Sequence, residues 1–236
     1  MKKHLFNLVA VAILLMTVLS ACKKDPKGSG GGGGSSYVID AKNIIGETNG
    51  IDHVNAFIYW DTEDDWGEYE VGTSPFIDNG FTINLPATLP SEYLDFAYNI
   101  FDDEVLVVSD RNAKMSEIVE ILAYNIEKEE VGEVFLYDEN DYMYCEAAYI
   151  YADRNFTMKG TEVDGSYTCI CDCNFRTGWN LVYYQCDYRQ AEIKLTTQKP
   201  ANANLQWYYE NWGWDDSPKP AKQSKLFSRL GKTASY

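Results

Sequence analysis

Five cysteines in the second half of the chain have the types and spacing best suited to chemistry: Cys145, Cys169, Cys171, Cys173 and Cys186. Residues two apart on a strand share a face, so the C-x-C-x-C run would lie side by side. If a two-residue turn at 177–178 joins two strands, Cys169 faces Cys186 and could form a disulfide. Buried thiols are one alternative. A metal or redox site is another, although zinc sites rarely use one straight strand.

A second candidate site is the aromatic run 207–216, W-Y-Y-E-N-W-G-W-D-D. Exposed Tyr208, Trp212 and Trp214 with nearby Asp and Asn side chains would suit a sugar, because the ring needs a flat apolar face and the hydroxyls need acceptors. The alternative is a terminal strand that closes the core, with Trp207 and Tyr209 on one face. The run therefore gives Tyr208, Trp212 and Trp214 as candidate ligand-binding residues.

Little else in the sequence favours catalysis or a metal. The acidic segment 61–68 places its glycine at the seventh position, not the sixth that an EF-hand loop requires, so we expect a polar loop there. After His4, His53 is the only histidine, which argues against Ser–His hydrolysis and most zinc sites. No carboxylate pair is singled out for glycoside hydrolysis. We expect no enzymatic activity, no catalytic residue, no metal and no cofactor.

The charge is strongly and unevenly acidic, with 36 Asp and Glu against 20 Lys and Arg. An acidic surface argues against nucleic-acid binding, which needs a basic face to meet phosphates. The segment 217–236 is the exception, because it has no acid and five bases: Lys219, Lys222, Lys225, Arg229 and Lys232. Its Pro, Ser and Lys content predicts a disordered basic tail over 215–236.

The elements that must position these residues are strands. Alternation at period two, broken by turn residues, gives twelve candidate segments: 38–45, 54–60, 68–71, 81–86, 116–124, 131–137, 143–151, 156–159, 167–173, 179–188, 192–197 and 205–210. From them we expect about ten short strands. The 18 tyrosines and 6 tryptophans suit half-buried strands. We expect an all-β fold over 37–214: an antiparallel β-sandwich, Ig-like or related, as one unit or as two stacked small β domains.

The N-terminus has the features of an export signal, with Lys2 and Lys3 before an apolar run over 5–19. The residues L-S-A-C at 19–22 resemble the lipobox of bacterial lipoproteins. That resemblance implies removal of a signal peptide, 1–21, and a lipid on Cys22 that anchors the chain to a membrane. The alternatives are a plain signal peptide or an uncleaved anchor. The Gly- and Ser-rich stretch within 22–36 predicts a flexible tether that reaches roughly 20 Å.

Two further stretches carry a family resemblance. The segments V-N-A-F-I-Y at 54–59 and N-G-F-T-I-N-L-P at 79–86, followed by Tyr93 and Leu94, are similar to surface lipoproteins of gut Bacteroidota, as is N-F-R-T-G-W-N-L-V-Y at 174–183. The resemblance implies an Ig-like or transthyretin-like sandwich on the outer membrane, exposed at the cell surface, with no activity to transfer. We therefore expect a non-catalytic module that binds a glycan or a surface protein. The alternative is a structural or assembly subunit of a surface complex or fibre.

Overall fold

A computed structural model describes residues 37–61, 66–99, 106–140, 142–164 and 166–212. The predicted signal peptide, the tether with Cys22, and the basic tail at 215–236 lie outside these ranges, as does Trp214. Among the residues that are described, no helix has the length and apolar character needed to cross a membrane.

Regular structure in these ranges consists of strands and one short 3₁₀ turn, Ser91–Tyr93, without an α-helix. The strands are β1 (Tyr37–Lys42), β2 (His53–Asp61), β3 (Trp66–Pro75), β4 (Gly80–Leu85), β5 (Asp95–Phe96), β6 (Val107–Val108), β7 (Lys114–Met115), β8 (Val119–Tyr124), β9 (Glu130–Asn140), β10 (Met143–Ala152), β11 (Phe156–Asp164), β12 (Tyr167–Phe175), β13 (Gly178–Asp187), β14 (Glu192–Thr196) and β15 (Gln206–Asn211). The all-β prediction is confirmed.

The first core lies between two layers of strands. β1 and β4 form a two-stranded antiparallel sheet, and its inner side chains pack against one face of β2, β3 and β8. Every second residue points into this space, so Ile39 of β1, Ile83 of β4 and Ile58 of β2 are completely buried there. Two sheets that share one apolar layer form a sandwich.

The larger sheet divides at β9. Its order is β3-β2-β8-β9-β10-β13-β14-β12-β11-β6, with β15 on the far edge of β9. β8 pairs with the first half of β9, where Ile121 is opposite Val134. β10 pairs with the second half of the same edge, where Ala147 is opposite Leu136. β8 and β10 therefore diverge from a common strand and leave a cleft between them.

β10 is buried on both of its faces over 147–152. Tyr149 and Tyr151 point into the first core. Ala148, Ile150 and Ala152 point the other way, into a second core that they share with β11, β12, β13 and β14. Because same-face residues of these non-adjacent strands pack together, this half of the sheet curls around the second core.

One pairing departs from the predicted antiparallel arrangement. β14 lies between β12 and β13, parallel to β12 and antiparallel to β13. The sheet is therefore mixed rather than purely antiparallel. A parallel pair cannot be joined by a tight turn, and here the connection from β12 to β14 runs through the whole of β13.

Candidate functional site

Four aromatic side chains form a continuous row across β15, β9 and β10, and we call Phe135, Tyr137, Tyr144 and Tyr208 the aromatic row. The ring centroids of Phe135 and Tyr137 are 5.1 Å apart. Tyr137 lies 4.2 Å from Tyr208 on one side and 5.9 Å from Tyr144 on the other. All four rings are half-buried. The row is therefore packed internally and still presents aromatic surface to solvent.

Strand alternation places these rings on one face. In β9, Val134 points into the first core and Leu136 packs near Cys145 on the same side, so Phe135 and Tyr137 point to the opposite face. Tyr208 sits directly opposite Phe135 in the pairing of β15 with β9. Three neighbouring strands span about 10 Å, which gives the width of the row.

Polar groups border the aromatic row. The Tyr144 hydroxyl donates a hydrogen bond of 2.5 Å to Glu146, and the Tyr208 hydroxyl donates one of 3.4 Å to Gln206. Burial raises the pKa of Tyr137, and the neighbouring Tyr208, Glu139 and Glu210 raise it further. Carboxylate and amide acceptors therefore lie beside flat aromatic surface.

The same face of the sheet continues over β8, β2 and β3, where exposed and half-buried carboxylates surround the buried Phe57 and Leu122. We call it the carboxylate face and define it by Glu68, Glu70, Glu120, Glu130, Glu133 and Glu210. Because Val54, Ala56 and Ile58 of β2 point into the first core, the alternate residues point outward. Asn55 is one of these, and its amide donates to Glu70 at 3.2 Å. β2 and β3 therefore contribute side chains to one shared surface.

Two tyrosines on this face, Tyr59 and Tyr124, have raised pKa values. Burial raises the pKa of Tyr124 to about 12, and the carboxylates of Glu130, Glu68 and Glu70 add to the shift. The pKa of Tyr59 lies well above its usual range because of burial first, then Glu120 and Glu68. A nearby negative charge opposes ionisation of a phenol, so the carboxylates of this face add to the effect of burial on both hydroxyls.

The cleft between β8 and β10 connects the two regions. Glu120, Glu133 and Glu146 line it together with apolar side chains that include Phe135 and Trp207. Its volume is only about 30 Å³, which admits one or two water molecules and not a sugar ring. Any larger ligand at this place would therefore lie on the surface of the sheet.

The aromatic residues predicted from the run 207–216 lie in different places in the structure. Tyr208 belongs to the aromatic row, whereas Trp207 and Tyr209 face the first core, as the terminal-strand alternative predicted. Trp212 is half-buried, and its backbone N–H donates to the Val131 carbonyl at 3.2 Å. Trp214 lies outside the described residues. Sequence reasoning missed Phe135, Tyr137 and Tyr144, although the alternation V-F-L-Y in β9 already put two of them on the face opposite the core.

The predicted pairing of Cys169 with Cys186 rested on a wrong register. β12 and β13 do not pair directly, because Ile193 of β14 lies between them and is opposite both cysteines. Two strand spacings amount to roughly 10 Å, beyond the about 7 Å between Cα atoms that a disulfide tolerates. None of the five cysteines in the described residues forms a disulfide.

The environment of the buried cysteines favours the thiol form. Cys171 and Cys173 point into the second core, and the Cys171 thiol donates to the Met158 carbonyl at 3.5 Å. A hydrogen bond with Cys171 and then burial raise the pKa of Cys173 far above its usual range. Burial raises the pKa of Cys145 to about 12. The thiolate is the nucleophile and the metal ligand, so these sites suit inert core residues.

Within the described ranges, no three His, Cys, Asp or Glu side chains are grouped so that they could hold a metal ion. No protein-family model, curated protein or solved structure matches this chain.

Proposed function

We propose that this chain is a lipid-anchored protein of the bacterial outer surface, and that its body binds a neutral glycan without catalysis. The observation that carries the binding proposal is the aromatic row, with Glu139, Glu146 and Glu210 beside it. The anchoring proposal rests separately on the lipobox-like residues at 19–22 and the Gly- and Ser-rich stretch that follows.

The chemistry of the row fits a pyranose ring. One face of such a ring exposes C–H groups, which pack against aromatic carbons, while its hydroxyls donate to carboxylate and amide oxygens. Tyr137 supplies the ring at the centre of the row, and Glu146 and Gln206 supply acceptors on either side. The acidic surroundings would repel uronic acids and sulfated sugars, so the proposal is for a neutral glycan.

Replacing Tyr137 with alanine should weaken glycan binding at least about tenfold, equivalent to about 1.4 kcal/mol. The substitution removes the ring that contacts Phe135, Tyr144 and Tyr208. Retardation in gels that contain β-glucan, xylan, soluble starch or mucin glycans would measure the effect. Tyr98→Ala is the matched control, because Tyr98 is 47% exposed and lies outside the row.

Two results would overturn the glycan proposal. One is no retardation of the unsubstituted protein in any of these gels. The other is equal retardation of the Tyr137→Ala and Tyr98→Ala variants. Oligomers without glycan binding would instead favour an assembly subunit.

Replacing Cys22 with serine should move the protein from the membrane fraction to the soluble fraction, because the sulfur that would carry the lipid is removed. Cell fractionation measures the change of location, and the mass of the N-terminal peptide shows whether a lipid is attached. Cys169→Ser is the control, since it also removes one thiol and leaves the anchor intact. An N-terminal peptide of the unsubstituted protein without added lipid mass would contradict the proposal.

Digestion of the protein on intact cells by added protease would test its outward orientation, because only a protein on the outer surface is accessible to the protease.

A further inference from the structure

We propose that the basic segment 217–236 docks on the carboxylate face of the same molecule. The inference rests on charge and on the position where the described chain ends. It is independent of glycan binding and would stand if that proposal failed.

The first observation is the one-sided charge of the sheet. The carboxylate face presents six glutamates, and the five strands that form it, β2, β3, β8, β9 and β15, contain no Lys or Arg. The segment 217–236 has the opposite composition, with five Lys or Arg residues and no acid. These two parts of the chain are therefore complementary in charge.

The second observation is where the chain leaves the sheet. β15 ends at Asn211 opposite Gly132, and the N–H of Trp212 donates to the Val131 carbonyl at 3.2 Å. Glu130 lies next to this point and pairs with Tyr124 of β8. The chain that continues towards the basic segment therefore leaves at the edge of the carboxylate face.

The chain after Trp212 is long enough to reach every strand of the carboxylate face. β9, β8, β2 and β3 follow one another in the sheet, so the face extends roughly 20 Å from β15. Lys219 follows Trp212 by seven residues, which span at most roughly 24 Å when extended. The remaining bases follow within thirteen more residues. The segment is therefore long enough to cross the whole face.

The energetics predict docking that is reversible and sensitive to salt. Each exposed ion pair contributes only about 0–1 kcal/mol. Covalent attachment, however, gives the segment an effective concentration in the millimolar range. The Debye length falls from about 30 Å at 0.01 M salt to about 3 Å at 1 M. The docked state should therefore dominate at low salt and be lost at high salt.

Limited trypsin digestion of the full chain in mild detergent tests the proposal. Initial cleavage rates after Lys222, Lys225, Arg229 and Lys232 are measured by mass spectrometry and divided by the rates for a synthetic 217–236 peptide under the same conditions. At about 20 mM NaCl we expect cleavage in the full chain to be at least tenfold slower than in the peptide. At about 500 mM NaCl the two rates should agree, because screening removes the attraction.

A double variant and its matched control locate the docking surface. Glu68→Gln with Glu130→Gln removes two charges from the carboxylate face and should abolish the protection at low salt. Asp78→Asn with Glu92→Gln removes two exposed charges elsewhere and should leave the protection intact.

The protection should not change when the protein is diluted, because the docking is intramolecular. Equal rates in chain and peptide at low salt would overturn the proposal, as would protection that survives the face variant. Protection that disappears on dilution would overturn the intramolecular form, because the segment would then bind a second copy.

Discussion

Replacing Ile150 with alanine is expected to lower the free energy of unfolding by about 2–5 kcal/mol, the usual cost of a large-to-small change in a packed core. Ile150 is completely buried in the second core. It lies on β10, whose flanking residues Tyr149 and Tyr151 extend into the first core. A cavity beside this strand would therefore loosen both cores. The melting temperature should fall by roughly 5–15 °C for a body of this size.

Ile126→Ala is the matched control because it removes the same atoms from a side chain that is 76% exposed. Its effect should stay within about 0.5 kcal/mol. Urea denaturation, monitored by circular dichroism, gives the free energy of unfolding of each variant. The comparison holds when the dependence of this free energy on urea concentration is the same in both. If Ile150→Ala lowers the free energy of unfolding no more than Ile126→Ala does, the assignment of β10 as the strand shared by both cores is wrong.

Replacing Gly132 with alanine is expected to detach β15 from β9. An added Cβ would lie within 3.0 Å of the Glu210 carbonyl oxygen and of the Tyr209 ring. The carbonyl belongs to the backbone of the paired strand, so it cannot move without separating the strands. Overpacking of this kind costs about 1–3 kcal/mol and sometimes more. Because Tyr208 belongs to β15, the same change should remove it from the aromatic row and weaken glycan binding.

Hydrogen exchange measured peptide by peptide would show this detachment as faster exchange confined to 206–212 and the facing part of β9. Gly50→Ala is the control. Its Cβ would meet no atom within 4 Å, although its φ of +90° is unfavourable for alanine, at a cost of about 1 kcal/mol. Unchanged exchange of the β15 amides in Gly132→Ala would refute the predicted clash.

The all-β class and most strand positions could be predicted from the sequence, because alternation of buried and exposed residues is a property of each strand alone. β9 shows this well, since Val134 and Leu136 lie on the core side and Phe135 and Tyr137 lie on the other face. The two-residue strands β5, β6 and β7 were missed, because two residues are too few to show a period.

The candidate site could be predicted only in part. Tyr208 was identified from its own segment, but its partners in β9 and β10, Phe135, Tyr137 and Tyr144, lie more than 60 residues earlier in the chain. The carboxylate face has the same origin. Glu68, Glu120 and Glu210 look unrelated in sequence, and they share a surface only because β3, β8 and β15 belong to one sheet.

The cysteines show where local reasoning fails. The alternation of Cys169, Cys171 and Cys173 was correct, and it places Cys171 and Cys173 together in the second core. The choice of the neighbouring strand was wrong, because β14 enters between β12 and β13. The sequence by itself thus determined where the longer strands lie and which residues of each strand share a face. The tertiary structure decided which strands are neighbours, since that choice depends on burying the faces of all the strands together, and no single segment contains that information.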